Sequence, residues 1–161
     1  MPQRWWDSIQ NEGSILQKDI IIEITGTQNS GGEPDHVEFI AQGQMDYADG
    51  LWCITYDEND FSERLTTKTM LTVDGKKCVT MSRFGEQNTQ LILEKGKRHL
   101  CHYDTGCGGM LVGISTSAVH SSLTGRGGEL RMRYTVDINS GYVGSNEINI
   151  KIKEAPPPCQ N

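Results

Sequence analysis

The sequence predicts an all-β fold: an antiparallel meander of about eight to ten strands that closes into a barrel. Three observations carry this. Apolar residues recur at every second position, tight-turn residues separate the runs, and no long amphipathic helix pattern interrupts the body of the chain. A meander of short strands escapes the exposed edges of an open sheet by closing on itself.

The strands can be placed in order. "DIIIEITGT" puts Ile20, Ile22 and Ile24 on one face and Asp19, Ile21 and Glu23 on the other. Weaker alternation marks strands at 35–48, 50–57, 64–74, 77–83, 88–95, 97–105, 108–117 and 119–124. The turns between them are Asp-Gly at 49–50 and 74–75, "FGEQN" at 84–88, "KGK" at 95–97, "TGCGG" at 105–109 and "GRGG" at 125–128. "GELRMRYTVDI" is the clearest strand, with Leu130, Met132, Tyr134, Val136 and Ile138 against Glu129, Arg131, Arg133, Thr135 and Asp137. "EINIKIK" ends the series with Ile148, Ile150 and Ile152 on the dry face. The barrel domain is thus expected over 18–154. Residues 1–17, with Trp5 and Trp6, read as an extension or as a short helix against one barrel end. The tail 155–161 reads as disordered.

Length and charge narrow the function classes. A chain of 161 residues suggests one domain large enough for a real core. The net charge of −6 argues against a general affinity for nucleic acid or anionic membranes. The N-terminus lacks the apolar run of a signal peptide, and no stretch approaches a membrane span. A cytoplasmic protein with reduced thiols at Cys53, Cys78, Cys101, Cys107 and Cys159 is expected.

The span 99–120, "HLCHYDTGCGGMLVGISTSAVH", looks most like chemistry. A metal site from His99, Cys101 and Cys107 would need the turn to fold back. His102 falls on the opposite strand face and His120 on a later strand. The bland reading is that Cys101 is a small core residue, and no metal or cofactor is expected. Ser115 follows Gly113, but Ser117 stands where a nucleophile elbow needs glycine. The chain therefore reads first as a non-enzyme, with an enzyme or metal protein built on the 99–120 hairpin as the remaining alternative. "TGCGG" is followed by a strand pattern, not by the helix a phosphate loop requires.

Two features suggest binding. Arg83 ends a strand, where its planar fork can take a carboxylate or phosphate or pair with a neighbouring acid. A last hairpin centred in "NSGYVGSN" would set Arg133 opposite Lys151 and Arg131 opposite Lys153. Like charges directly across strands repel. So the register moves, or Glu23 and Asp19 of the first strand relieve the strain, or the four cations form a basic stripe for an acidic protein or an RNA backbone.

The segments "TTKTMLTV", "MSRFGEQNTQLILEKGKRHLCHYDTGCGGMLVGIST" and "GGELRMRYTVDINSGYVGSNEINIKI", in that order, resemble the YwiB-like family of uncharacterised bacterial proteins. The resemblance runs from about Asp19 to Glu154 and implies a calycin-like, lipocalin-like barrel. It brings no activity, substrate or cofactor. It implies that Arg83 with Gly85, Gly96, Tyr103 with Thr105, Gly108, Thr116, Tyr134 and Gly144 match the family pattern. Cys101, Cys107, the N-terminal extension and the Pro-rich tail depart from it. A calycin-like barrel implies a ligand cavity. Arg83, Tyr103 and Tyr134 are then the candidate residues for a small apolar or anionic ligand, provided that the interior is hollow by at least ~300 Å³.

Overall fold

The computed structural model describes residues 16–59, 66–75, 77–85, 88–104 and 108–156. Ten strands run in chain order: β1 (Leu16–Asn29), β2 (Asp35–Ala48), β3 (Leu51–Asn59), β4 (Thr66–Asp74), β5 (Cys78–Phe84), β6 (Thr89–Glu94), β7 (Arg98–Asp104), β8 (Gly109–Ser121), β9 (Gly127–Ile138) and β10 (Gly141–Glu154). Each pairs antiparallel with its neighbour in sequence, and β10 pairs with β1 to close the barrel. The expected meander is therefore the observed architecture. The segment 1–15, in which a short helix was an alternative, lies outside the described residues. Leu16 and Gln17, placed in that extension by the sequence reading, belong to β1. At the other end, the Ala155 N–H still bonds the Asp19 carbonyl at 2.9 Å.

The Asp49–Gly50 turn behaves as its composition demands. Both residues take positive φ, 52° and 79°, the left-handed pair of a two-residue hairpin. Two further placements differ from the sequence reading. The strands expected at 108–117 and 119–124 are one strand, β8, with a bulge at Ser117 between Thr116 and Ala118. One extra residue shifts the alternation by one, so Val112, Ile114 and Thr116 and then Val119 all face inward. A phase break of this kind looks like a turn in sequence. The Ser117 hydroxyl donates to the Arg133 carbonyl at 3.2 Å and holds the bulge.

The last hairpin is also displaced. Its turn is Asn139–Ser140, both at positive φ (51° and 65°), and Gly141 pairs with Ile138. A second irregularity between Tyr142 and Gly144 completes the offset. Arg133 consequently faces Glu147, not Lys151, and Arg131 faces Asn149, not Lys153. The glycines that seemed to mark the turn serve elsewhere. A Cβ on Gly144 would stand 2.8 Å from the carbonyl oxygen of Asn29 at the end of β1.

The interior is packed unevenly along the barrel axis. Ile20, Ile22, Met45, Leu71, Leu93 and Met132 are fully buried and fill one half. On the outside, Arg98 of β7 reaches across β8 to Asp137 of β9, with Nε and Nη2 donating to the two carboxylate oxygens at 2.9 and 2.7 Å. Gly113 lies beneath this clasp. A Cβ there would meet Arg98 Nη2 at 2.4 Å and Asp137 Oδ2 at 2.5 Å. The guanidinium holds the Asp137 carboxyl below its ordinary value of 3.8. A carboxyl depressed on folding stabilises the native state above its unfolded pKa and loses that contribution as the pH falls through the lower, folded value. Asp137→Asn should therefore melt below the wild type at neutral pH. The gap should shrink once the pH drops under 3.8. Thermal melts of both proteins across pH 2 to 7 check this, and a gap independent of pH would refute the electrostatic account.

Candidate functional site

The other half of the barrel is hollow. A cavity of about 1260 Å³ opens at one end, well above the ~300 Å³ lower bound for a small-molecule site. Its walls are mainly apolar and include Ile24, Phe39, Leu91, Met110, Val136 and Ile148. The Phe39 and Tyr56 rings, both in its lining, lie with centroids 6.1 Å apart. The opening exists because β2 leaves β3 early. β1 and β2 stay paired from Leu16/Tyr47 to Gln28/Asp35, whereas β2 and β3 pair only from Gly43/Tyr56 to Ala48/Leu51. Beyond Gly43 the β1–β2 ribbon stands clear as one lip of the cup.

The polar groups of the cup lie along one rung of the sheet. Tyr56 pairs with Thr69, Thr69 with Arg83, Arg83 with Thr89, and Thr89 with Tyr103. Directly opposed residues share a face, so five consecutive strands, β3 to β7, turn a polar side chain inward at one level. Tyr134 enters from β9, on a rung with Thr116 and Asn146. The structure thus gathers Arg83, Tyr103 and Tyr134 in one cavity.

Glu58 completes the group. Its Oε1 lies 3.7 Å from Arg83 Nη2, an ion pair too long for a hydrogen bond. That same oxygen is buried and accepts no hydrogen bond from the described residues. Burial pushes the Tyr56 phenol up, the Glu58 charge adds to this, and the Arg83 charge opposes it. Burial likewise raises the Tyr134 phenol, again against the pull of Arg83. Both phenols are therefore neutral hydrogen-bonding groups at neutral pH, not bases.

Tyr56 and Glu58 were missed in sequence, yet a signal exists. Ile54, Tyr56 and Glu58 continue one dry face, as do Val79, Met81 and Arg83. A charge that extends a buried alternation marks the level at which the core ends.

The residues of 99–120 separate. His99 and Cys101 share the inner face, but His99 Nε2 lies 2.9 Å from Glu94 and is taken up there. The Cys101 sulfur accepts the Ile92 N–H at 3.3 Å, in a seam where β6 and β7 pair only at Thr89/Tyr103. Cys101 is buried, and burial raises its thiol. His102 stacks outside over Gly109, and His120 lies on the outer face opposite Arg131. Thr105 and Cys107 lie outside the described residues. Among the described residues, no three histidine, cysteine or acidic side chains cluster to hold a metal. Cys53, Cys78 and Cys101 are free thiols.

The cationic stripe carries alternating charge. Arg133 pairs with Glu147 at 3.3 Å, and Arg131 Nε donates to Asn149 at 3.0 Å. Lys151 lies between Glu23 of β1 and Glu129 of β9 in the register. Lys153 is opposite Ile21 and Gly127. No helix of the described residues is long and apolar enough to cross a membrane.

The fold is similar to that in the crystal structure of the ywiB protein from Bacillus subtilis. The TM-score is 0.77 at 16% identity, with 88% of this chain and 94% of that chain covered. At that identity the likeness speaks for the fold. No curated protein matches the chain. A family model described as a domain of unknown function, DUF1934, matches residues 22–150, and with the ten-strand barrel beneath it this places the chain in the DUF1934, YwiB-like family.

Proposed function

We propose that the barrel is a non-enzymatic receptor for a small, mainly apolar ligand seated in the cup. The carrying observation is the uneven interior: one half is packed solid, while the other keeps a cavity of about 1260 Å³ with apolar walls and a few convergent polar groups. Apolar surface left open to water is unfavourable by roughly 25 cal/mol per Å², so an apolar occupant would gain what the empty cup forgoes. The polar rung offers hydrogen bonds for orientation.

Nile red, an uncharged apolar dye, tests this reading. The purified protein should bind it saturably at about one dye per chain, with fluorescence enhancement. Ile148→Trp projects a larger ring into the cup and should weaken dye binding about tenfold, equivalent to ~1.4 kcal/mol. Absence of saturable binding, or full binding by the tryptophan variant, would reject the cup as the receptor site.

A further inference from the structure

The charges inside the cup say what kind of head group suits it. Among the described residues, one cation, Arg83, and one anion, Glu58, face inward, and each leaves hydrogen-bonding capacity unused. Arg83 carries five N–H donors in a planar fork, yet its nearest acid among the described residues is Glu58 at 3.7 Å. The Glu58 Oε1 atom is buried without a donor. A buried charged oxygen lacking a hydrogen bond is costly, and the group that supplies one gains the difference.

An anionic head would satisfy Arg83 alone. It would bring a second negative charge beside Glu58, in a cavity whose lining also includes Glu38, Asp57 and Glu147. An ammonium head would satisfy Glu58 and be repelled by Arg83. A neutral group with an acceptor and a donor side by side satisfies both. A carboxamide or lactam edge does this: its C=O accepts from the guanidinium while its N–H donates to the carboxylate. The Tyr134 phenol, kept neutral, stands in the same cavity as a further donor. Ile24, Leu91 and Ile148 line the space that an apolar remainder would fill.

We propose that the cup recognises an apolar molecule bearing a neutral amide-type edge, held between Arg83 and Glu58. This rests on the receptor reading above and names the ligand class for the same cavity.

Four probes with one tail and different heads test it: octanamide, octanoate, octylamine and octanol, each displacing Nile red from the intact protein. Octanamide should displace the dye at about tenfold lower concentration than octanol. Arg83→Gln should abolish that advantage and leave octanol unchanged. Glu58→Gln leaves Arg83 without its counter-charge, so the preference should switch to octanoate by about tenfold. A merely structural ion pair would move all four probes together. Equal displacement by all four, or tightest binding of octanoate or octylamine to the wild type, would overturn the inference while leaving the receptor reading intact. Failure of Nile red itself to bind would instead remove the receptor reading. Because Glu58→Gln gains binding of one probe, the test survives even if Arg83→Gln folds poorly.

Discussion

Replacing Gly43 by alanine should lower the melting temperature by about 10 °C, from a loss of about 3 kcal/mol. Gly43 lies between Ile20 of β1 and Tyr56 of β3, at the last rung shared by β2 and β3. A Cβ there would stand 2.2 Å from the Thr55 carbonyl oxygen, 3.0 Å from the Tyr56 Cβ and 3.1 Å from the Ile22 Cδ1. The first of these is backbone and cannot rotate away. Relief requires β2 to lift from β3, where β2 turns out of the barrel wall. A strand glycine at such a corner permits close backbone approach. The change reaches the site as well, because Tyr56 begins the polar rung. Gly43→Ala should therefore weaken Nile red binding beyond the effect of lost stability, read at a temperature where the variant is fully folded. A variant with wild-type melting and wild-type dye affinity would show that the corner is relaxed in solution.

The corner and the rung mark where sequence reading stops. Alternation over 19–27, 128–138 and 147–153 is legible because each strand has one dry and one wet face, and the barrel follows from turns that permit only neighbour pairing. Register is less legible. A bulge shifts alternation without leaving a turn residue, so Ser117 hid the continuity of β8, and Asn139–Ser140 formed the last turn beside more conspicuous glycines. Arg83 and Tyr103 are separated by twenty positions in sequence. They share a cavity because Thr89 pairs with both. Such adjacency depends on two registers together, each of which local patterning leaves ambiguous by two residues. Glu58 is a different case: its charge suggests solvent, although the alternation from Ile54 and Tyr56 carries it to the inner face.

The uneven packing predicts two unequal costs for one substitution on one strand. Ile152 and Ile148 are both isoleucines on the inner face of β10, four residues apart. Ile152 belongs to the filled half, at 3% exposure, opposite Ile22. Ile148 lines the cup, opposite Gly26. Truncation of a packed isoleucine to alanine opens a new cavity in addition to losing transfer energy, so Ile152→Ala should cost about 3 kcal/mol. At Ile148 the space already exists, and the loss should stay under about 1 kcal/mol. Denaturant melts of the two variants measure the difference, and equal costs would mean that the cup is collapsed in solution. Saturating Nile red then separates the sites further. A ligand bound only to the native state adds stability in proportion to the logarithm of its occupancy ratio. The penalty at Ile148 should therefore grow with dye present, since its wall contact becomes part of the bound state, whereas the penalty at Ile152 should stay unchanged.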